Sequence, residues 1–238
     1  MTRWIVTALI ALVVCGCSPP ALGGRDAPRR TLLFADDFNG RYLDTQRWSP
    51  YFSAGNAGYG LRRPSAFSLD GQGHLVVTAQ MVGGKIVSGG MAAKVSSTYG
   101  RFEVRVRTDP DASGIMSGVV LTWPSSGRWP VDGENDIYET GAARNTRWPF
   151  HSFLHYGWTN RQYEFTHEAD GAQWHTLTMD WRPNAIRIYR DGQLVWTVTN
   201  RRAIPDTPHH LTIQLDATRN GWLQRPVRMY VDYVRISR

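Results

Sequence analysis

Cysteine and lysine are both scarce in this chain of 238 residues. The only cysteines are Cys15 and Cys17, and the only lysines among 27 basic residues are Lys85 and Lys94. Because both cysteines lie near the start, the region that follows has no disulfide and no thiol nucleophile. Its stability must come from burying apolar side chains, and arginine carries most of the net charge of +7.

Long apolar runs and helical periodicity are also missing, apart from one short run near the N-terminus. Residues 4–14 are apolar and follow Arg3, which is typical of an export signal and too short for a membrane anchor. The run ends in Val-Cys-Gly-Cys-Ser, which resembles a bacterial lipobox in which Cys17 would be acylated. Residues 1–17 are therefore predicted to be a signal peptide, either of a lipoprotein or cleaved in the ordinary way nearby. We expect an exported bacterial protein, secreted or held in the cell envelope, with no membrane contact beyond this lipid.

Residues 18–30 are rich in proline, glycine and arginine and predict a flexible linker. Residues 31–238 are long enough for one domain, with 42% hydrophobic residues in the whole chain. The arginines are scattered and no nucleic-acid-binding motif is present, so the basic charge does not indicate a nucleic-acid partner. A solvated surface and attraction to an anionic polymer remain the alternatives.

Short β-rich runs separated by turn residues dominate the rest of the chain. Asp191-Gly192 between two alternating runs predicts a tight hairpin. With many strands and no βαβ alternation, the chain is predicted to be all-β, an antiparallel two-sheet sandwich of the jelly-roll type. The predicted strands are 31–35, 75–79, 99–107, 117–123, 135–139, 151–156, 175–181, 185–190, 194–199, 209–215 and 229–236.

Three carboxylates, Glu134, Asp136 and Glu139, lie close together in one predicted strand. Alternation places Glu134 and Asp136 on one face, whereas Glu139 would face the other way. A β-bulge near Tyr138 would return Glu139 to their face, and bulges are common beside active sites. Paired carboxylates are the working groups of glycosidases; a solvated strand face or a cation site is the alternative.

The predicted strand at 99–107 alternates apolar with charged residues, among them Glu103 and Arg105. Its apolar face belongs to the core. Its charged face is either a solvated exterior or, if the strand lies beside the carboxylates, a surface that holds sugar hydroxyls.

Seven landmarks in order along the chain resemble glycoside hydrolase family 16 from residue 31 to the end, and its laminarinase-type branch in particular. This resemblance implies a β-jelly roll with a substrate cleft across its concave sheet, a bulge in the active-site strand, and retaining endo-hydrolysis of a β-linked polysaccharide. The landmarks are 36–40 (DDFNG), 43–48 (LDTQRW), 99–105 (YGRFEVR), 121–124 (LTWP), 133–139 (GENDIYE), 174–181 (WHTLTMDW) and 229–235 (MYVDYVR).

The same resemblance implies roles for the acidic residues. Glu134 would be the nucleophile, Glu139 the general acid/base, and Asp136 a residue between them that modulates their charge. Trp123 and Trp129 would form aromatic walls for sugar rings. We therefore expect Glu139 to begin protonated and Glu134 ionised.

Further positions match less distinctive parts of the family pattern. Glu103 and Arg105 would reach substrate from an adjacent cleft strand, and His155 would hydrogen-bond near the carboxylates. No cofactor is required. The family sometimes binds a structural calcium ion, which would lie near Asp37 and Asp232, whose alternative role is hydrogen bonding at turns and strand ends.

The resemblance leaves the substrate open. A β-1,3-glucan or a mixed β-1,3/1,4-glucan fits best; the alternatives are a galactan, a transglycosylase reaction, or a non-catalytic carbohydrate-binding jelly roll. We expect a monomer whose partner is a polysaccharide. Asn135 and Tyr138 depart from the usual family residues, so both should face away from the cleft, and Asn135 will need polar partners if it is buried.

Overall fold

The computed structural model of the protein describes residues 30–238. The predicted signal peptide, Cys17 and nearly all of the predicted linker lie outside these residues. Within the described part, the regular structure is almost entirely β, and no helix is long and apolar enough to cross a membrane. Three short 3₁₀ helices occupy Asn56–Gly58, Pro64–Ala66 and Arg201–Ala203.

Eighteen strands are found in the described residues. In chain order they are β1 Leu32–Asp36, β2 Trp48–Pro50, β3 Ser53–Ala54, β4 Leu61–Arg62, β5 Phe67–Leu69, β6 Leu75–Val82, β7 Lys85–Ser88, β8 Gly90–Ser97, β9 Gly100–Thr108, β10 Met116–Pro124, β11 Glu134–Glu139, β12 Phe150–Tyr156, β13 Arg161–His167, β14 His175–Arg182, β15 Ala185–Arg190, β16 Gln193–Val198, β17 His209–Ala217 and β18 Val227–Ser237.

The strands form two sheets. One has seven strands in the order β13-β12-β11-β10-β17-β8-β2. The other has eleven, in the order β16-β15-β14-β9-β18-β6-β7-β4-β3, with β1 paired to β18 and β5 paired to β6. Every pairing is antiparallel except that of β4 with β7. The predicted fold class, an antiparallel two-sheet jelly-roll sandwich, is confirmed.

Alternation along the long strands places the hydrophobic core between the sheets. In β9, Phe102, Val104 and Val106 are fully buried while the residues between them are partly exposed. In β17, Leu211 and Ile213 point into the same core. Burial of one face of each sheet fixes the strand register, because a slip of one residue would turn the apolar face to solvent.

All eleven predicted strands are present, with ends that differ by at most three residues. The hairpin at Asp191-Gly192 is confirmed, with φ angles of 52° and 81° that suit a tight two-residue turn. The sequence did not predict several strands that are shorter, more polar or richer in glycine: β2, β3, β4, β5, β7, β8 and β13.

Candidate active site

A groove of about 980 Å³ crosses the outer face of the seven-stranded sheet. Among the sequence-predicted site residues, the structure brings six together along its walls. They are Glu134, Asp136, Glu139, Trp123, Trp129 and His155.

A β-bulge in β11 creates the acidic cluster. Leu121 of β10 lies opposite Asp136, and Val119 lies opposite Glu139, so two residues of β11 oppose one of β10. The pairing with β12 shifts in the same interval. The bulge predicted from the five-residue spacing is therefore confirmed, and it turns Glu139 to the groove face that Glu134 and Asp136 share.

Tyr138 anchors the inner side of the bulge. Its side chain is fully buried, and its hydroxyl donates a hydrogen bond to the backbone oxygen of Gly171 at 2.8 Å. The hydroxyl oxygen also lies 3.1 Å from Oγ1 of Thr108, which can donate to it. Tyr138 thus faces away from the groove, as predicted, and ties the active-site strand to the loop at 171.

Asn135 also faces inward and is fully buried. Its Nδ2 donates to Oγ1 of Thr122 at 2.8 Å, and that oxygen lies 3.2 Å from Nδ1 of His209. Burial lowers the pKa of His209 to about 4, so its ring is neutral. The polar partner that Asn135 requires is therefore present, although its Oδ1 has no hydrogen-bond partner among the described residues.

His155 supplies positive charge to the acidic cluster from β12, where it pairs with Glu134 across the strands. Its Nε2 lies 3.1 Å from Oδ2 of Asp136, as an ion pair rather than a well-aligned hydrogen bond. Its Nδ1 lies 2.9 Å from Oδ1 of Asn160, a contact that orients the ring. Burial lowers the pKa of His155, but Asp136 outweighs this effect and the pKa rises to about 9. His155 is thus a cation at neutral pH.

Burial and mutual repulsion hold protons on the carboxyl groups. Burial, reinforced by the charge of Asp136, raises the pKa of Glu134 to about 8. The same two causes raise the pKa of Glu139 to about 7, while His155 acts in the opposite direction on both. Burial also raises the pKa of Asp136. The expectation of a protonated Glu139 agrees with these shifts, whereas Glu134 is not kept ionised by its surroundings in the free groove.

Asp136 offers a way to ionise Glu134. The charge of Asp136 raises the pKa of Glu134, so the two carboxyl groups titrate together and one proton can reside on either. When the proton resides on Asp136, Glu134 loses a repelling charge and gains a hydrogen-bond donor, and both changes lower its pKa. The protonation state of Glu134 therefore depends on Asp136.

Trp123 and Trp129 form an aromatic wall beside the carboxylates. Their rings are stacked, with centroids 6.2 Å apart and planes 9° apart. Trp129 also lies 6.2 Å from the ring of His155 and lowers the pKa of Glu134 through a side-chain hydrogen bond. Because Trp129 is 41% exposed, a flat apolar face remains open to the groove. Such a face can stack on the C–H face of a sugar ring.

The expectation that Glu103 and Arg105 reach substrate is wrong. Both belong to β9, which lies in the eleven-stranded sheet, and they point away from the core on the opposite side of the sandwich from the groove. Glu103 contacts Arg101 at 3.0 Å, and Arg105 pairs with Asp232. The charged face of β9 is the partly solvated exterior.

Asp37 and Asp232, the carboxylates expected near a calcium ion, each contact an arginine. Asp37 pairs with Arg235, and Asp232 pairs with Arg105. Within residues 30–238, no group of three His, Cys, Asp or Glu side chains could hold a metal ion. Both carboxylates are thus paired with guanidinium groups, and a structural calcium ion near them stays a prediction.

The sequence analysis missed the polar residues at the other end of the groove. Gln214 and Asp216 of β17 line it together with Arg62 of β4. A signal for the first two existed, since they alternate with buried Ile213 and Leu215. Arg62 gave no such signal, because its strand has only two residues.

Comparison with known proteins agrees with this geometry. The family described as "Glycosyl hydrolases family 16" matches residues 61–235. A β-glucanase of Rhodothermus marinus is 26% identical over 98% of this chain and 94% of its own, and a β-glucanase of Bacillus subtilis is 32% identical over 59% of each.

Solved structures show the same fold. The laminarinase catalytic domain of Thermotoga maritima matches with a TM-score of 0.75 at 19% identity, covering 88% of this chain and 98% of that one. A laminarinase of Rhodothermus marinus gives the same TM-score and coverage at 24% identity.

The family match covers most of the chain and includes the bulged strand with its three carboxylates. It confirms the resemblance noted from the seven landmarks. This chain belongs to glycosyl hydrolase family 16 and is a glycoside hydrolase.

Proposed function

We propose that the protein is a retaining endo-hydrolase of a β-1,3-glucan or a mixed β-1,3/1,4-glucan. The observation that carries this proposal is the bulge in β11, which gathers Glu134, Asp136 and Glu139 on one face of a groove with an aromatic wall.

In the first step, a carboxylate oxygen of Glu134 attacks the anomeric carbon while the proton of Glu139 passes to the leaving glycosidic oxygen. The glycosidic bond breaks, the leaving chain departs as an alcohol, and a glycosyl ester forms on Glu134. The raised pKa of Glu139, which burial and Asp136 produce, keeps the acid protonated near neutral pH.

In the second step, water attacks the anomeric carbon and gives its proton to Glu139. The ester bond breaks, and Glu134 is released as a carboxylate. Formation of the ester removes the negative charge of Glu134. Because less negative charge then surrounds Glu139, its pKa falls, which suits its change from acid to base. In the resting groove, Asp136 can take up the proton of Glu134 before the first step. After turnover Glu134 is already a carboxylate and Glu139 is protonated again, so the next cycle can begin.

The relatives support glucan as the substrate class. They include the β-glucanases above and a protein named glucan endo-1,3-beta-glucosidase A1 from Niallia circulans, 26% identical over 91% of this chain. The galactan alternative has support of the same kind: a keratan-sulfate endo-1,4-beta-galactosidase of Sphingobacterium multivorum is 28% identical over 86% of this chain. We favour glucan because β-glucanases recur more often among these relatives.

A panel of defined β-glucans and neutral galactans, with analysis of the products, tests the proposal. We expect internal cleavage of a β-glucan, and Glu134→Gln and Glu139→Gln should each lower kcat by about 10²-fold or more. Arg228→Met, a change on the exposed face of β18, is the matched control. Transfer to sugar acceptors in place of water would indicate a transglycosylase, and polysaccharide binding without turnover would indicate a binding module. Cleavage of galactans alone would contradict β-glucan as the substrate and indicate a galactan hydrolase.

Export belongs to the same proposal. A polysaccharide too large to enter a cell must meet its hydrolase outside the cytoplasm, and the N-terminal segment resembles a lipoprotein signal. We propose a secreted or lipid-anchored protein, in which Cys17 carries the lipid if it is anchored.

A further inference from the structure

The end of the groove remote from β11 carries a second polar cluster, made of Arg62, Gln214 and Asp216. Nε of Arg62 donates to Oδ1 of Asp216 at 2.9 Å, and its Nη2 donates to Oε1 of Gln214 at 2.6 Å. Nη2 also contacts Oδ2 of Asp216, so the arginine and the carboxylate form a two-pronged pair. Both acceptor side chains are almost completely buried. They hold the guanidinium in one orientation.

The register of the sheet gives the distance of this cluster from the chemistry. Glu139 lies opposite Val119, Val119 lies opposite Gln214, and Gln214 lies opposite Gly90. At roughly 4.8 Å for each strand spacing, Gln214 is two spacings or about 10 Å from Glu139, and Gly90, over which Arg62 lies, is three spacings or about 14 Å from it. The cluster therefore lies along the groove, more than one sugar ring from the bond that is cleaved.

Gly90 makes room for the arginine. A Cβ atom at this position would lie 2.9 Å from Cδ of Arg62 and 2.8 Å from Cδ2 of Tyr51, closer than such atoms approach. Since glycine has no side chain, Arg62 can reach from β4 across β8 and lie on the groove floor. The ring of Tyr51 stands beside it, 5.7 Å from the guanidinium carbon.

The chemistry of the cluster suits an uncharged sugar. Asp216 neutralises Arg62, so the pair attracts anions little. Nη1 of Arg62 makes no hydrogen bond within the described residues and can donate to ring hydroxyls, while the Tyr51 ring offers an apolar face. We infer that Arg62, oriented by Asp216 and Gln214, is a specificity-determining residue that binds a neutral sugar ring remote from the cleavage point. This inference rests on the proposed function.

A series of neutral β-gluco-oligosaccharides of increasing length tests it through kcat/KM. Arg62→Met should lose about 10-fold to 100-fold on oligosaccharides long enough to reach the cluster, as expected for hydrogen bonds to a charged group. The loss should shrink on shorter ones. Because Arg62→Met leaves Asp216 unpaired, the double variant Arg62→Met/Asp216→Asn checks that the effect is not a folding defect. Arg228→Met is the matched control.

Calorimetric binding of the same series to Glu139→Gln, with and without Arg62→Met, separates this inference from the proposed function. If the parent cleaves no glucan but Arg62→Met still weakens the binding of long oligosaccharides, only the proposed function fails. An equal loss at every length, or no loss on long oligosaccharides, overturns the role of Arg62. Tighter binding of a sulfated oligosaccharide than of its neutral counterpart would also overturn the role of Arg62, because it would show that the cluster binds anions.

Discussion

The charge of His155 balances the acidic cluster. The imidazole lies 3.1 Å from Asp136, and its positive charge lowers the pKa of both Glu134 and Glu139. Without it, burial and mutual repulsion would raise the pKa of both glutamates further. His155 therefore acts through the other residues: it lowers the pH at which the cluster gives up the proton of Glu134.

We predict that His155→Gln moves the acid limb of the kcat/KM profile upward by about one pH unit or more, because an opposite charge at this distance lowers a carboxyl pKa by about 1–3 units. A pH–rate profile on a soluble β-glucan measures the shift. His175→Gln is the control, since His175 pairs with Asp191 away from the groove. A lower rate with an unmoved profile would mean that His155 serves packing alone.

At the scale of the strand, the bulge in β11 depends on what its inner residues contact. Tyr138 fills the space between the sheets and reaches the backbone of Gly171, which fixes the extra residue in one conformation. A bulge with polar or small inner residues would have fewer contacts to hold Glu139 on the groove face. The catalytic geometry is thus linked to the core.

Tyr138→Phe tests this link. The change keeps the ring but leaves the carbonyl of Gly171 without its donor, so we expect a loss of about 1–3 kcal/mol in the free energy of unfolding. Urea denaturation measures it. Tyr156→Phe is the matched control, because its ring packs on Tyr163 and its hydroxyl makes no hydrogen bond within residues 30–238. Equal stability of the two variants would contradict the anchoring role.

The long strands could be predicted from the sequence because each buries one face, which leaves a period of two in its residues. The bulge could be predicted because three carboxylates could not otherwise share a face. Short strands such as β4 could not be predicted, because a strand of two residues shows no alternation. The position of Arg62 over Gly90 in the groove could therefore not be predicted from the sequence.

At the scale of the whole molecule, the failed prediction for Glu103 and Arg105 has a clear cause. Alternation in β9 tells which residues face the core, but not which of two sheets the strand joins. That choice depends on pairing with β14 and β18, which lie about 70 or more residues away in sequence. The charged face of β9 is consequently on the exterior opposite the groove.

Two buried histidines should make the fold sensitive to acid. Burial lowers the pKa of His167 to about 3 and that of His209 to about 4, so both are neutral when folded. Their contribution is complete above the unfolded pKa of about 6.5 and is lost as pH falls toward the folded values. We predict that, as pH falls from 6 to 4, the parent loses stability relative to His167→Gln. The free energy of unfolding should fall by about 1.4 kcal/mol per pH unit more in the parent than in the variant. Urea denaturation at several pH values measures it, and a constant difference would contradict the prediction.

The central claim is that Glu134 is the nucleophile and that the sugar cleaved from a β-linkage is held on it covalently during turnover. A slow, fluorinated β-gluco-oligosaccharide that stalls after the first step, followed by peptide mass spectrometry, tests this claim most directly. Asp136 and Glu139 lie on the same peptide as Glu134, so fragmentation of that peptide must locate the adduct. We predict one added oligosaccharide on Glu134 itself, with no adduct in Glu134→Gln. An adduct on Asp136 or Glu139, or turnover that releases the inverted anomer without any adduct, would contradict the account.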